Sequence, residues 1–238
     1  MWNDAVDLRD FYRTSLGQMA SRTIRQRIRT IWPDVSGQAV LGFGYATPYL
    51  RPFRDEATRV IAAMPAQQGV LHWPSDGKGL ATLCDETEIP LPDVSIDRVL
   101  LVHGLESSEQ LRPMLREIWR VLADGGRLLA VVPNRRGIWA RLDRTPFGHG
   151  HPYTPGQLSH LLRDTLFTPI RMERALFVPP SRSRMMLASA PAWETVGLKL
   201  FQTFAGVLII EAGKQIYTAT PELVGAARRR YAGSVSQP

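Results

Sequence analysis

Apolar residues recur every three or four positions along residues 5–31 of the chain. This spacing places them on one face of a helix, while polar and basic residues occupy the other face. The pattern predicts an amphipathic helical segment that is broken at Gly17. The apolar positions are Leu8, Phe11, Tyr12, Leu16, Met19, Ile24, Ile28 and Ile31.

Short apolar runs alternate with helical patterns over the rest of the chain. The clearest succession is a strand at 96–103, a helix at 108–122 and a strand at 126–132, with a Gly-Gly turn before the last. Strands that alternate with helices predict an α/β fold with a seven-stranded, mostly parallel sheet and helices on both faces. The other predicted strands are 39–43, 58–63, 80–84, 169–178 and 206–217, and the other predicted helices are 154–163 and 193–204.

One stretch combines a strand, a tight turn and a helix start. It reads Ala39-Val40-Leu41-Gly42-Phe43-Gly44-Tyr45-Ala46-Thr47-Pro48-Tyr49-Leu50. Thr47 is predicted as the N-cap of the following helix, and Pro48 suits the first helical position. Such a turn directs free backbone N–H groups at a ligand above the strand end. The stretch therefore predicts a cofactor site.

Three classes of cofactor compete for this turn. A nucleoside triphosphate site needs Lys-Ser or Lys-Thr after the glycines, and this chain has neither. A dinucleotide site needs a third glycine where Thr47 stands, and an acid at the end of the second strand. S-adenosylmethionine carries no phosphate and needs only a close backbone and a helix N-terminus facing its carboxylate. The residues favour S-adenosylmethionine.

Length and composition indicate one globular unit. The chain has 238 residues, of which 44% are hydrophobic, enough for a sizeable core. We expect a single domain over residues 1–238, with an N-terminal helical segment at 1–35, an insertion over the pocket at 135–153 and a tail at 218–238. The first residues lack a signal-peptide layout and no apolar run is long enough to cross a bilayer, which predicts a cytoplasmic protein without membrane contact.

The charge of the chain is a weak guide to its partner. The net charge is +7 with a pI near 10.1, which is typical of proteins that bind nucleic acid. Only Lys78, Lys199 and Lys214 are lysines among 29 basic residues, so the excess is arginine, as in proteins from GC-rich bacterial genomes. We therefore interpret the clusters at 22–29 and 228–230 as solvated surface. Cys84 is the only cysteine, which excludes an internal disulfide and a multi-thiolate zinc site.

The middle of the chain carries a family resemblance. Four segments match in order and spacing, and from about residue 5 to residue 217 the chain resembles class I S-adenosylmethionine-dependent methyltransferases of the type 11-like group. The resemblance implies a Rossmann-like methyltransferase fold and S-adenosylmethionine as cofactor. The four segments are Cys84–Val99, with its Leu-Pro-x-Pro-Asp sequence, Val102-His103-Gly104-Leu105-Glu106, Arg116–Leu122, which ends in Arg-Val-Leu, and Gly125-Gly126-Arg127-Leu128.

The resemblance also implies a set of cofactor-binding residues. The glycine turn would line the methionine and ribose, Met64 and Pro65 would flank the ribose and adenine, and Asp85, or alternatively Glu86, would accept from the adenine amino group. The end of the fourth strand would lie under the sulfonium. The full set is Gly42, Phe43, Gly44, Tyr45, Ala46, Thr47, Met64, Pro65, Asp85, Glu86, Val102, His103 and Gly104.

The chain departs from the family pattern at several of these positions. Gly42 stands where the family carries an acid, and Ala46 and Pro48 replace two later glycines. The ribose-binding acid at the end of the second strand is missing, since residues 63–65 are Ala-Met-Pro. Hydrogen bonds to a charged group contribute about 1.5 to 3 kcal/mol each, so this loss predicts weaker cofactor binding. Tyr12, Tyr45 and Gln67 lie within sequence reach of the vacated position.

Candidate catalytic and acceptor-binding residues follow the fifth strand. Methyl transfer depends mainly on positioning, and a general base is needed only when the acceptor arrives protonated. We consider Asn134, His149 and His151 as catalytic candidates, although two histidines in a Gly- and Pro-rich loop are also typical of hydrogen-bonded loop structure, and they lack the further ligands of a metal site. The candidate acceptor-binding residues are Tyr12, Arg135, Arg144 and Tyr153.

The sequence leaves more than one function open. The first is an S-adenosylmethionine-dependent methyltransferase that acts on a small-molecule acceptor. The second is a catalytically impaired methyltransferase-like protein that serves as a binding or regulatory partner of another protein, as the altered glycine turn suggests. A third reading, an RNA or DNA methyltransferase, is disfavoured because Pro133-Asn134-Arg135 does not match the signature of base-amino methylating enzymes.

Overall fold

The fold is built on one central sheet in a computed structural model that describes residues 4–216. The seven strands lie in the order β3-β2-β1-β4-β5-β7-β6. All are parallel except β7, which runs antiparallel to β5 and β6. The predicted seven-stranded, mostly parallel sheet is confirmed. Its strands are β1 (Ala39–Gly44), β2 (Arg59–Pro65), β3 (Ala81–Cys84), β4 (Ile96–Val102), β5 (Leu122–Pro133), β6 (Phe167–Ala175) and β7 (Val207–Lys214).

Helices cover both faces of the sheet. One apolar cluster joins the N-terminal helices to the face that carries Val40 and Leu100, and a second joins α4 and α5 to the face that carries Leu41 and Leu101. Consecutive strand residues point to opposite faces, so both halves of the core come from the same strands. The helices are α1 (Ala5–Arg13), α2 (Ser15–Ile31), α3 (Thr47–Leu50), α4 (Leu111–Val121), α5 (Pro155–Asp164), α6 (Arg184–Ala188) and α7 (Ala190–Leu200).

The N-terminal segment breaks at Thr14 and not at Gly17, so the predicted break was misplaced. Thr14 has extended backbone, and its hydroxyl accepts from the Gly17 N–H and donates to the Phe11 carbonyl oxygen. This cap ends α1 and starts α2. Gly17 has a different role, since a Cβ there would lie 2.1 Å from the Phe11 oxygen. The glycine permits the close approach of the two helices.

The helix after the glycine turn is short. Ala46 is the N-cap of α3 and makes no side-chain capping bond, while Thr47 is the first helical residue, so the prediction of Thr47 as N-cap was wrong. After four residues α3 gives way to a 3-10 turn at Arg51–Phe53. The segment between β2 and β3 contains no helix.

One guanidinium joins the segment before β4 to α4. Arg120 in α4 donates to the carbonyl oxygens of Ile89 and Leu91, and it pairs with Asp93 and Glu117. The Arg120 side chain also lowers the pKa of Glu117. Arg120 thus links the two parts of the motif, the Leu-Pro-x-Pro-Asp segment and the Arg-Val-Leu end of the helix. Among residues 4–216, no helix combines the length and apolar character needed to span a membrane.

Glu194 in α7 supplies a test of how burial acts on stability. Its Oε1 accepts from the Phe177 N–H at 2.8 Å, Oε2 has no hydrogen-bond partner, and desolvation raises its pKa. A raised pKa in the folded state means that stability is fully present below the unfolded value and is lost as pH rises through the folded value. Glu194→Gln keeps the acceptor for Phe177 and cannot ionise.

We therefore compare the free energy of unfolding of Glu194→Gln with that of the parent chain. We expect the difference in favour of the variant to increase as pH rises from 4 toward 8, because the buried parent carboxylate becomes charged and the glutamine does not. Urea unfolding across this range measures the difference. The exposed Glu109→Gln is the matched control, with no such trend. A Glu194→Gln difference that is constant with pH would contradict the argument.

Candidate functional site

The carboxyl ends of β1 and β4 meet at two backbone positions with left-handed geometry. Gly44 has φ 74° and pairs with Val102 across the two strands. A Cβ on Gly44 would lie 2.3 Å from the Val102 oxygen, so only glycine fits. His103 follows β4 with φ 52°, which is uncommon for a residue with a side chain. Such backbone persists where surrounding contacts fix it.

A buried polar network fixes His103. Its Nε2 lies 2.8 Å from the Tyr12 hydroxyl, which lies 2.8 Å from the Tyr49 hydroxyl. On the other side of the ring, Nδ1 lies 3.0 Å from Glu106 Oε1. A carboxylate at Nδ1 favours the tautomer with the proton on that atom, which leaves Nε2 free to accept from Tyr12. Burial raises the pKa of both tyrosines, so both phenols keep their protons.

Two further side chains close around His103. The Gln68 side-chain amide donates to the His103 carbonyl oxygen. The Phe147 ring lies 5.0 Å from the imidazole, centroid to centroid. The loop that carries Phe147 is anchored to the residues after β4, because the His151 N–H donates to the Glu106 carbonyl oxygen and the Tyr153 hydroxyl donates to that of Leu105. Side chains from α1, α3 and the insertion therefore pack over the end of β4.

The predicted glycine turn lies beside this network, but its members face different ways. Gly42 packs against Leu50, whose Cδ1 would lie 2.5 Å from a Cβ at position 42. Phe43 points to the opposite face of the sheet and is buried in the core with α4. Tyr45 stacks on Tyr12, with centroids 5.9 Å apart. Ala46 and Thr47 are buried at the start of α3, and Thr47 and Tyr45 border a cavity on the α1 side.

The predicted adenine side has two contrasting carboxylates. Asp85 is exposed, and its Oδ1 accepts from the backbone N–H and hydroxyl of Thr87, which lowers its pKa. Glu86 is buried and accepts from the backbone N–H groups of Glu109 and Gln110 just before α4. Glu86 therefore links the turn after β3 to the start of α4. Pro65, Glu86 and Gly104 surround a cavity of about 10 Å³, room for one water molecule.

The three catalytic candidates lie in the insertion and at its start. Asn134 is buried, and its side-chain amide donates to the carbonyl oxygens of Thr203 and Ala205, while its Oδ1 accepts from the Arg136 N–H. His149 Nε2 lies 2.7 Å from the Asp143 carbonyl oxygen. The His151 side chain is exposed, and its backbone contacts Glu106. None of the four side-chain hydrogen bonds that Asn134 and His149 make among the described residues involves the His103 network.

The acceptor candidates are divided between the network and a neighbouring cavity. Tyr12 belongs to the network, and Tyr153 anchors the insertion. Arg135 is exposed and donates its backbone N–H to the Tyr153 carbonyl oxygen. Arg144 borders a cavity of about 500 Å³ beside the end of α1, a volume typical of small-molecule sites. The other residues around this cavity are Phe11, Thr14, Ser15, Leu16, Pro180 and Arg182.

Sequence reasoning missed three residues of the network. Tyr49 stands in the stretch 39–50, Glu106 in the segment 102–106, and Gln68 next to the Gln67 that was considered. The only signal for Glu106 was its place three residues after His103 at a strand end. No local pattern pairs Tyr12 with His103, because 91 positions separate them. Within the basic cluster at 22–29, Arg29 forms a salt bridge with Glu56. The second basic cluster, residues 228–230, lies outside the described range.

Comparison with known proteins agrees with this architecture. The strand order, the glycine turn and the motif around β4 define the class I S-adenosylmethionine-dependent methyltransferase fold, which confirms the predicted resemblance. Residues 41–130 match the model of a methyltransferase domain. Over 108 residues the chain is 29% identical to demethylmenaquinone methyltransferase of Thermus thermophilus, a match that covers 44% of this chain and 48% of that protein. The matched region therefore spans about half of that relative.

Solved structures share the fold over most of the chain. A possible histamine N-methyltransferase from Thermotoga maritima aligns with a TM-score of 0.59 at 15% identity, covering 87% of this chain and 94% of its own. A putative methyltransferase from Haloferax volcanii, solved with the Trm112 methyltransferase activator, aligns with a TM-score of 0.61 at 17% identity, covering 90% and 96%. Together with the domain match, these likenesses imply S-adenosylmethionine as the cofactor of the fold.

The residues of this chain fit the polar groups of that cofactor. Gln68 Oε1 and Glu106 Oε2 are buried without a hydrogen-bond partner among the described residues, and Gln68 borders the small cavity at Gly104. Unpaired buried acceptors indicate a ligand that donates hydrogen bonds, as ribose hydroxyls and amino groups do.

Proposed function

We propose that this chain is an S-adenosylmethionine-dependent methyltransferase that acts on a small-molecule acceptor. The observation that carries the proposal is the buried chain from Glu106 through His103 to Tyr12, at the strand end where the family resemblance puts the sulfonium. A carboxylate, an imidazole and a hydroxyl in hydrogen-bond contact form the arrangement that activates or deprotonates an attacking group. The domain match over residues 41–130 supports the same reading.

The acceptor is proposed to be largely apolar with an anionic group. The cavity of about 500 Å³ has Phe11, Leu16 and Pro180 in its wall, with Arg144 and Arg182 to bind a negative charge. Phe11 also contacts the rings of Tyr12 and Phe147, so the cavity is separated from the network by one layer of aromatic side chains. The Thermus relative is a demethylmenaquinone methyltransferase, and its name is compatible with an apolar acceptor.

The roles of the residues follow from their contacts. S-adenosylmethionine, when bound, supplies an electrophilic methyl group on its sulfonium. Gln68 and Glu106 supply acceptors for its polar groups, and the loop over β4 excludes water. Once the Phe11 layer between the cavity and the network opens, a proton from an acceptor hydroxyl passes to Tyr12 as the Tyr12 proton moves to His103 Nε2, where Glu106 stabilises the resulting imidazolium. Asn134, His149 and His151, Arg135 and Tyr153 are proposed to shape and support the acceptor site.

A second candidate is favoured by the closed arrangement. A cavity of about 10 Å³ at Gly104, the missing ribose acid and a buried Tyr12 are the features expected of a methyltransferase-like protein that binds its cofactor weakly and acts as a binding or regulatory partner. The Haloferax structure is a complex of a putative methyltransferase with an activator protein, which supports a protein partner as part of this alternative.

Calorimetric titration with S-adenosylmethionine and S-adenosylhomocysteine separates the two candidates. We expect dissociation constants between about 1 μM and 1 mM, the range of enzyme substrates. Gln68→Leu removes the unpaired acceptor together with the amide that donates to the His103 carbonyl oxygen, and is expected to weaken binding roughly five- to tenfold. The exposed Gln18→Leu on α2 is the matched control and should bind like the parent chain. Absence of binding of both compounds at millimolar concentration contradicts the first candidate and favours the second.

A further inference from the structure

One side of α7 exposes large apolar side chains. Trp193, Val196 and Leu200 are three and four residues apart, so they lie together on that side of the helix. A different side anchors α7, because Gly197 lies so close to Phe177 that a Cβ at position 197 would be 2.2 Å from the Phe177 ring. Packing within the described residues therefore fixes the orientation of α7 and leaves the apolar side exposed.

The exposed apolar side chains continue onto the turn before β7 and onto the insertion. Phe201 and Phe204 follow the end of α7, and each is more than half exposed. The start of the insertion contacts this turn, because the Asn134 side-chain amide donates to the Ala205 carbonyl oxygen at 2.7 Å. Large exposed apolar surfaces mark interaction sites in soluble folds. The apolar patch consists of Ile138, Trp193, Val196, Leu200, Phe201 and Phe204.

The segments that form the apolar patch are basic. Residues 134–141 and 190–204 carry four exposed cationic side chains, and their only acid is Glu194, which is buried. Arg174 of β6 adds a fifth cation beside the turn, since its guanidinium donates to the Gln202 side chain at 3.4 Å. The patch therefore combines aromatic and aliphatic side chains with positive charge. The four exposed cations are Arg135, Arg136, Arg141 and Lys199.

We propose that the apolar patch binds the surface of an anionic lipid bilayer. Tryptophan, phenylalanine and leucine side chains enter the boundary between headgroups and acyl chains, while lysine and arginine are attracted to anionic headgroups. A second copy of the chain suits the patch less well, because a symmetric contact would bring the same positive charges together. The prediction of no membrane contact considered only segments long enough to cross a bilayer, and a peripheral contact needs no such segment.

The position of the apolar patch relates it to the cavity proposed for the acceptor. Val207 at the start of β7 pairs with Pro133 at the carboxyl end of β5, so the turn before β7 lies at the same edge of the sheet as the candidate site. Arg182 borders the cavity and lies two residues before α6, which a single residue separates from α7. An apolar acceptor dissolved in the bilayer would reach the cavity from this surface. That connection rests on the proposed function, whereas lipid binding itself does not.

Co-sedimentation with lipid vesicles tests the proposal. One set of vesicles contains phosphatidylcholine alone, and the other contains about one third phosphatidylglycerol. We expect the parent chain to bind the anionic vesicles roughly tenfold or more tightly than the neutral ones, with an affinity that falls as salt is raised. No cofactor or acceptor is added, so failure of lipid binding is distinguishable from failure of the calorimetric test of cofactor binding.

Phe201→Ser/Phe204→Ser removes two exposed rings and is expected to lower the affinity for anionic vesicles roughly tenfold or more. The matched control is Leu83→Ser/Val94→Ser, which removes two half-exposed apolar side chains outside the patch and should stay within about twofold of the parent chain. Thermal unfolding shows whether each variant is folded.

A second pair of variants tests the charge of the patch. Arg136→Gln/Lys199→Gln is expected to lower the affinity for anionic vesicles roughly tenfold and to weaken its dependence on salt. Arg112→Gln/Arg116→Gln removes the same charge from the exposed face of α4 and should stay within about twofold of the parent chain.

Three results would overturn the proposal. The first is a parent chain that does not bind anionic vesicles at millimolar lipid. The second is an equal loss of affinity in each variant and its control, as a diffuse basic surface would give. The third comes from light scattering: a dimeric parent chain that Phe201→Ser/Phe204→Ser separates into monomers, without vesicle binding, would assign the patch to a second copy.

Discussion

Replacing Gly44 by alanine is expected to lower the free energy of unfolding by about 3 to 5 kcal/mol, which for a chain of this size lowers Tm by roughly 10 °C or more. Two effects add. The left-handed backbone at φ 74° disfavours any side chain, and the new Cβ would lie 2.3 Å from the Val102 oxygen on the neighbouring strand. Neither atom can retreat, because Gly44 and Val102 are paired residues of adjacent parallel strands.

Gly37 provides a control for the backbone term alone. It also has φ 74°, but no atom lies within 4 Å of a Cβ placed there. Gly37→Ala should therefore cost only about 1 to 2 kcal/mol. Chemical unfolding of the parent chain and both variants gives the comparison. If both variants lost the same free energy of unfolding, the clash between the Gly44 Cβ and the Val102 oxygen would contribute nothing, which would contradict the packing argument.

The fold was predictable because its strongest elements are local patterns. A few neighbouring residues are enough to predict each of them. These elements are the apolar run of β4, the helical spacing of α4 and the Gly-Gly turn before the regular part of β5. The errors fall where local signals compete. Gly17 suggested a break, but Thr14 makes the capping bonds, and the close contact of Gly17 with Phe11 is set by how α1 meets α2.

The candidate site was less predictable because its partners are distant in sequence. Tyr12 and His103 were each singled out, yet their hydrogen bond requires α1 to lie across the end of β4. The cavity on the α1 side of the glycine turn, which is bordered by arginines of α1 and of the turn after α3, was hidden for another reason. Its arginines were interpreted as a compositional bias of the whole chain, and only the short α3 and the helix-free segment after β2 bring Arg9 and Arg51 to one hollow. The arginines are brought together by the packing of distant segments, which no periodic pattern in the sequence predicts.

Replacing Arg120 by methionine is expected to lower the free energy of unfolding by about 2 to 4 kcal/mol. The substitution keeps helix propensity and much of the aliphatic stem, but it leaves the carbonyl oxygens of Ile89 and Leu91 without their donor and Glu117 without its cation. Arg112→Met on the same helix loses only the exposed pair with Asp164 and should cost less than about 1 kcal/mol.

The same variant should also respond differently to acid. Arg120 holds the pKa of Glu117 below its usual value, so this pair contributes stability that is present above the unfolded pKa and is lost as pH falls through the folded value. The difference in unfolding free energy between the parent chain and Arg120→Met should therefore shrink as pH falls from 7 toward 3. A difference that stays constant with pH would assign the loss to the two backbone carbonyls alone. Arg120 joins the Leu-Pro-x-Pro-Asp segment to α4, so the motif that most clearly carries the family resemblance stabilises the fold of this chain. Its presence is therefore compatible with either candidate function.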